Sequence, residues 1–364
     1  MTSHDGRARG RAPTHSPLPV FVNARFESRR ATGVDVHAAE VVRRLHGLER
    51  ISPPARCADG ILGHAWEQTV LPFRVDDGVL WSPCNTGPVL ARRHVLTLHD
   101  VAPFDVAEHY SPAYRAMART TMAATSRRAS VVATVSQFSA DRIVDRLGVA
   151  PDRVHVVGNG LREPFLSAAT RRTEQPCAEP AVVTLGSLDP RKRLSSLLEA
   201  HRRGLPDVEL QVIGGGNDRV FASHGPARGA RVRMLGYLPT EEVVGRIATA
   251  LAFVSFSSYE GFGMPPLEAA ALGTPVIVSD IPAHREVLGG LRGVHFAADE
   301  EQLVMLLRAA ARHELSRPVP SDVARRHDWN RVAERYLEVF DLVAGVPHGV
   351  GSAHRHDAGA PLAS

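Results

Sequence analysis

The feature that most constrains this chain is a rhythm. Short runs of β-branched and aliphatic residues alternate with stretches of helical periodicity, and the whole pattern occurs twice. The first series holds VFVN (Val20–Asn23), VLW at 79–81, HVLTLHD at 94–100, VVATV at 131–135 and VHVV at 154–157. Between these runs lie an amphipathic stretch at 34–48, a helix opened by Ser111-Pro112 that runs to about Arg128, and a second Ser-capped helix at Ser136. Ser accepts from the free amides of a first helical turn, and Pro has no amide to strand there, so such residues start helices. The second series passes through AVVTL (Ala181–Leu185), ELQVI (Glu209–Ile213), VRML at 232–235, LAFVSF at 251–256 and PVIVS at 275–279. Helices are expected at 194–202, 240–249, 266–272 and 300–312. Continuously apolar strands joined through helices make parallel sheets covered on both faces.

The polar residues 167–179 split the two series. This predicts an α/β chain of two doubly wound, Rossmann-like domains facing a cleft, at 18–166 and 181–326, with a linker at 167–180. A length of 364 residues, beyond the usual reach of one hydrophobic core, agrees with two domains. A last helical pattern at 329–343, within a segment 327–345, is expected to pack back across the first domain. The ends, 1–17 and 346–364, are rich in Gly, Arg, Ser and His without periodicity and read as disordered tails. In an open α/β sheet, ligands bind at the carboxyl ends of the strands, so the cleft is the expected site.

Several function classes drop out. The longest apolar run, at 247–256, is too short to span a bilayer, and no charged-then-apolar leader opens the chain, so a cytoplasmic protein is expected. Cys57, Cys84 and Cys177 are odd in number and widely spaced, which reads as reduced thiols and not as zinc ligands. Net charge is only +4 and aromatics make up 5%, too little for a nucleic-acid surface. Gly214-Gly-Gly216 follows a strand but lacks the spacing of a dinucleotide fingerprint, and no GK[ST], HExxH or GxSxG occurs. Residues 1–165 hold 21 of the 43 basic but only 16 of the 39 acidic side chains, which suggests an anionic partner for the first domain, either phospholipid headgroups in peripheral membrane contact or a phosphorylated acceptor. Among the 43 basic residues a single one is lysine, Lys192. A compact ammonium differs from a guanidinium fork and suits a phosphate as a point charge.

Four segments carry chemistry. In 257–268, SSYEGFGMPPLE, a strand end passes through a Gly-containing loop into a helix, and Glu260 and Glu268 are expected to face one crevice with Glu268 in the first helical turn. Carboxylates there, with no metal cluster in the pattern, suit sugar or ribose hydroxyls. Gly261 and Gly263 let backbone approach a ligand. In 185–193, LGSLDPRKR, Asp189-Pro190 signals a turn that delivers Arg191 and Lys192 to the same lip. Gly33, in the ATGV turn at 31–34, offers close approach from the first domain, and His99-Asp100 ends a first-domain strand.

Together these segments resemble the family 4 retaining glycosyltransferases of the GT-B fold, a mannosyl- or rhamnosyltransferase-like group. EGFGMPPLE has that family's paired-glutamate spacing and LGSLDPRKR its phosphate-binding turn. FVNARF, TGV, WEQTVLP, LTLHDVAPF, TVSQFSADRI, VVGNG, LGYLP, DIPAHREVLG and the closing HDW extend the likeness over about 21–340. The resemblance implies transfer of a hexose, with mannose from GDP-mannose as the leading choice, from a nucleoside diphosphate sugar to a hydroxyl of a glycan, lipid-linked or small-molecule acceptor. Configuration would be retained, with no resident cofactor and no metal, in polysaccharide assembly at the inner membrane face.

Glu268 would then hold the ribose. Glu260 would bind the transferred sugar with the amides of Gly261, Phe262 and Gly263. Lys192, with Arg191, would neutralise the diphosphate, Gly33 would lie beside it, and His99 would meet the sugar's primary hydroxyl. Asp100 would contact the acceptor, and Gly236 and Tyr237 would lie near the base. The family's extra Arg before the lysine is replaced by Ser187, and its frequent RKN turn ends here in Arg193. Two alternatives remain open at this level: a non-catalytic GT-B subunit that binds an active partner or a membrane, and a nucleotide-sugar epimerase.

Overall fold

The computed structural model describes residues 12–13, 16–28, 32–58, 60–170, 181–186, 189–215 and 231–346. Most of the two expected tails, 171–180 of the expected linker, Ala31, Cys177, Ser187 and Gly216 lie outside the described residues. The first domain carries β1 (Val20–Asn23), α1 (Gly33–Arg44), β2 (Leu48–Ile51), α2 (Gly60–Thr69), β3 (Val79–Ser82), β4 (His94–Thr97), α3 (Pro112–Arg128), β5 (Val131–Thr134), α4 (Gln137–Leu147), β6 (Val154–Val156) and α5 (Glu163–Thr170). Its six strands pair all-parallel in the order β2-β1-β3-β4-β5-β6. The second carries β7 (Ala181–Leu185), α6 (Leu194–Gly204), β8 (Glu209–Ile213), β9 (Val232–Gly236), α7 (Thr240–Ala248), β10 (Ala252–Ser255), α8 (Met264–Ala271), β11 (Val276–Ser279), α9 (Pro282–Leu288), β12 (Val294–Ala297) and α10 (Glu300–Ala311). These six strands are also parallel, in the order β9-β8-β7-β10-β11-β12.

Two doubly wound α/β domains of the GT-B kind are therefore present. Val79, Leu80, Trp81, Val95, Leu96 and Val132 lie at 0% exposure in one sheet, as do Val182, Val183, Phe253, Val254 and Ile277 in the other. That burial is why those strands read as continuous apolar runs. Two strands escape the pattern, β2 (LERI) and β12 (VHFA). Each is an outer strand of its sheet, none of β2's residues is fully buried, and an edge does not demand an apolar run. The strand expected at 94–100 ends at Thr97, leaving His99 and Asp100 in a loop. The expected linker begins with helix, because α5 continues to Thr170.

After α10 come α11 (Pro320–Arg326) and α12 (Trp329–Ala344), the latter capped by Asp328, which accepts from the Asn330 amide at 2.9 Å. Trp329, Val332, Ala333, Tyr336, Val339 and Phe340 recur at helical spacing and bury one face of α12 against Val20, Val22, Val79, Trp81 and Val95 of the first sheet. The chain thus closes its second domain and then crosses back to complete the core of the first. Burying each of those large side chains stabilises the crossing by about 2 kcal/mol.

Candidate active site

Strand order in the second sheet reverses between β7 and β10, and the two loops leaving their carboxyl ends diverge there. After β7 the turn at 189–192 is capped by its own Asp189, which accepts from the Arg191 amide at 2.9 Å. Arg193 follows in the left-handed region at φ +47, with its guanidinium over the Phe256 ring, 4.4 Å from the centroid. Left-handed backbone suits Asn and is costly for most other side chains, which is a physical reason for Asn in the related turns. After β10 the loop is tied to this turn, with the Ser258 amide donating to Arg191 O at 2.8 Å. Lys192 Nζ then reaches Glu260 Oε1 at 2.6 Å, and the Ser257 hydroxyl donates to the same oxygen at 2.7 Å. Burial opposes ionisation of Glu260, but Lys192, nearby His284 and Ser257 hold its pKa down to about 2.

The next residues belong to both domains at once. A Cβ at Gly261 would come within 2.3 Å of His99 O, so only glycine fits against the first domain here. The Gly261 carbonyl accepts from the hydroxyls of Ser136 at 2.6 Å and Ser139 at 3.2 Å, both at the start of α4. That helix start is also held by Glu286, whose carboxylate accepts from the amides of Gln137 at 2.6 Å and Phe138 at 2.7 Å. Gly263 takes φ +93 and leads into α8, while Phe262 is buried edge-on to His327.

Glu268 departs from the sequence expectation. It is the fifth residue of α8 and not in its first turn, and it is 1% exposed. Both its oxygens are taken by Arg162, through Nε and through Nη2 at 2.8 Å. Burial raises the Glu268 carboxyl above the ordinary range while the guanidinium pulls it back. Glu260 and Glu268 therefore engage different cations, one from the β7 turn and one from the first domain.

On the facing side, the first sheet also reverses order, between β1 and β3. Gly33 opens α1 next to the cap Thr32, whose amide and hydroxyl both donate to Asp35, and a Cβ at Gly33 would meet nothing within 4 Å. His99 is 8% exposed and donates from Nε2 to Pro83 O at 3.0 Å, since a carbonyl can only accept. Its Nδ1 is then the unprotonated nitrogen, and burial keeps the ring neutral by lowering its pKa. The Asn85 side chain accepts from the His99 amide at 2.8 Å, and the His37 ring stands edge-on at 4.9 Å. Asp100 caps Ala102 and lies 3.7 Å from Arg191, whose guanidinium is also bound by Asp189 at 2.7 Å and lies over the Tyr110 ring.

Gly236 takes φ +64 with open space where a side chain would go. Tyr237 is 57% exposed and donates to Gly215 O at 3.0 Å. Gly214 packs so closely on Gly186 that a Cβ would lie 2.1 Å from the Gly186 carbonyl oxygen, a packing reason for glycine at the end of β8.

Several partners were invisible to motif reading. Arg162 had no signal at all. Ser136 was legible only as a helix cap, and Ser139, His284 and Asn159 lie in stretches that carried only overall likeness. His37 is held by Asn159 Oδ1 at 2.6 Å and Tyr336 Oη at 2.8 Å, and Tyr336 shares a 2.8 Å hydrogen bond with Thr97. Burial, then the neighbouring His99, lowers the His37 pKa to about 3.

Comparison with known proteins adds a family context. Residues 78–163 match the model described as Glycosyltransferase Family 4, and residues 169–326 match Glycosyl transferases group 1. A phosphatidyl-myo-inositol mannosyltransferase of Mycobacterium leprae is 31% identical over 52% of this chain and 53% of its own length. O-antigen chain mannosyltransferase B of Escherichia coli is 29% identical over 56% of this chain and 57% of its own. The chain spans about half the length of these curated relatives. Among solved structures, sucrose-phosphate synthase from Thermosynechococcus elongatus superposes with a TM-score of 0.64 at 14% identity, covering 90% of this chain and 99% of that one. Anabaena HepE in complex with UDP and glucose gives 0.63 at 16% identity, covering 89% and 100%. At such identities the likeness to solved structures is one of fold.

Proposed function

The chain belongs to the family 4 glycosyltransferases, and from that premise we propose that it moves a hexosyl group from a nucleoside diphosphate sugar to a hydroxyl acceptor with retention of configuration. The observation that carries this reading is the Lys192–Glu260 contact at the switch point of the second sheet, roofed by the Gly261 loop and faced by His99. The names of the mannosyltransferase relatives support mannose, and hence GDP-mannose, as donor. They also support a lipid-linked or glycan acceptor, and the basic surplus of 1–165 supports contact with an anionic membrane face. Among the described residues no helix is long and apolar enough to cross a membrane.

In this reading Lys192 exchanges part of its contact with Glu260 for the donor diphosphate and stabilises the charge that grows there as the sugar–phosphate bond breaks. Arg191, shared with Asp189 and Asp100, adds positive potential from the same turn. These cations take the place a metal ion fills in other transferases. Glu260, kept ionised, accepts from hydroxyls of the transferred sugar, and His99 offers Nδ1 to its primary hydroxyl. Glu268 accepts from the ribose hydroxyls once Arg162 yields one oxygen. The acceptor oxygen forms its bond to the anomeric carbon on the face the phosphate leaves, and its proton passes to the departing phosphate oxygen. The protein's part is positioning and electrostatics, with domain closure assembling the site.

Thermal unfolding with saturating GDP, UDP, ADP and TDP tests the reading. A nucleotide at about a hundred times its Kd adds about 2.7 kcal/mol, a rise of several degrees. GDP is expected to stabilise wild type and to lose its effect in Glu268→Ala. A response to another nucleotide changes the donor base. No response to any of them, or an unchanged one in Glu268→Ala, overturns the reading.

A further inference from the structure

A second cavity lies behind the Gly261 loop, where the crossing segment between α11 and α12 meets both domains. It offers about 180 Å³ and is open to solvent, room for a phosphoryl group rather than for a large ligand. Gly158 and Asn159 of the first domain, Glu286 and Val287 of the second, and Arg326, Arg331 and Arg335 of the crossing segment are among the residues that line it. Arg331 and Arg335 are one helical turn apart on α12 and so share a face. Arg335 donates to Val157 O at 3.1 Å and Arg326 to Gly289 O at 3.3 Å, which fixes two guanidiniums on opposite walls without neutralising either.

The carboxylates around the cavity are committed elsewhere. Glu286 serves the amides of Gln137 and Phe138 at the start of α4, and Asp328 serves the start of α12. Each negative charge thus answers the positive end of a helix, worth roughly half a charge. Three arginines are left lining one space, and among the described residues none of them forms an ion pair. Guanidinium groups that converge without carboxylate partners match phosphoryl oxygens, which they bind through paired, charge-assisted hydrogen bonds.

We propose that this cavity is an anion site, separate from the sugar-transfer cleft, that takes the phosphoryl group of a small phosphorylated solute between Arg326, Arg331 and Arg335. A ligand seated there touches both domains and the segment joining them, so it favours the arrangement that holds those walls together.

The test is thermal unfolding of the full chain in inorganic phosphate or pyrophosphate against chloride at matched ionic strength. Wild type is compared with Lys192→Ala, which disables the transfer cleft, and with Arg331→Ala, a substitution at an exposed residue. Phosphate or pyrophosphate is expected to raise the midpoint of wild type and of Lys192→Ala alike. Arg331→Ala should need about tenfold more anion for the same rise, the loss of one charge-assisted pair. Titration calorimetry with pyrophosphate on the folded variants gives the same comparison independently of stability. No response beyond chloride, a response that Lys192→Ala removes, or one that Arg331→Ala leaves unchanged overturns the proposal.

Discussion

On the second-domain side of the cleft the interacting groups lie in two short segments. Asp189, Arg191, Lys192 and Arg193 come from one turn, and Ser257, Glu260, Gly261 and Gly263 from one loop, with Glu268 following on α8. On the first-domain side they are gathered from all over the chain. His99 is oriented by Pro83 and Asn85, faced by His37 from α1, and His37 is held by Asn159 and by Tyr336, 299 positions away. The first kind of site is written in local spacing, because adjacent parallel strands deliver adjacent loops. The second exists only once α12 has crossed over and packed.

Substitutions can break this contrast. The largest effect is expected from Lys192→Ala, which removes the cation from the compact side and should lower sugar transfer about a hundred- to a thousandfold with the fold intact, measured as release of nucleoside diphosphate. The same pair sets an acid limb. Glu260 has its pKa depressed from 4.5 to about 2 in the folded chain, so its contribution to stability is present above pH 4.5 and is lost as pH falls towards 2. Stability measured across that window should fall with acid in wild type, and Lys192→Met should flatten the fall.

Glu268→Ala comes next. Stranding the Arg162 guanidinium should cost about 3 kcal/mol in chemical denaturation, and Arg162→Met combined with Glu268→Leu should recover much of it. If the single change costs nothing, the bidentate pair is not what holds this part of the interface.

The dispersed side is sharpened by His37→Phe. It keeps the ring but removes the hydrogen bonds to Asn159 and Tyr336, and should cost about 2 kcal/mol in the same assay. A stability equal to wild type would mean that α12 holds the first domain through its apolar face alone. The smallest effect belongs to Arg193→Asn. Relief at φ +47 offsets the lost contact over Phe256, so stability should move by no more than about 1 kcal/mol.

Legibility followed burial and locality. Central strands such as Val79–Ser82 and Ala252–Ser255 announce themselves because both faces are covered, whereas the edge strands Leu48–Ile51 and Val294–Ala297 have no need of an apolar run. Helix Pro282–Leu288 spans only seven residues, too few to show a period. Gly261 and Gly263 were legible as places of close approach, but that the approach at Gly261 is to the His99 carbonyl was not. Arg191 reads in sequence as a twin of Lys192, yet its guanidinium is engaged by Asp189 and Asp100 while Lys192 meets Glu260.

What the sequence determined by itself was the pair of parallel sheets, their helical covers and the two turns that converge at β7 and β10, since periodicity, capping residues and short-range spacing act within a few residues. What only the tertiary structure decided was which charges meet. Arg162 with Glu268, Arg191 with Asp100 and three arginines around one cavity depend on two domains closing and a last helix crossing between them, and contacts made at such separations leave no local pattern to read.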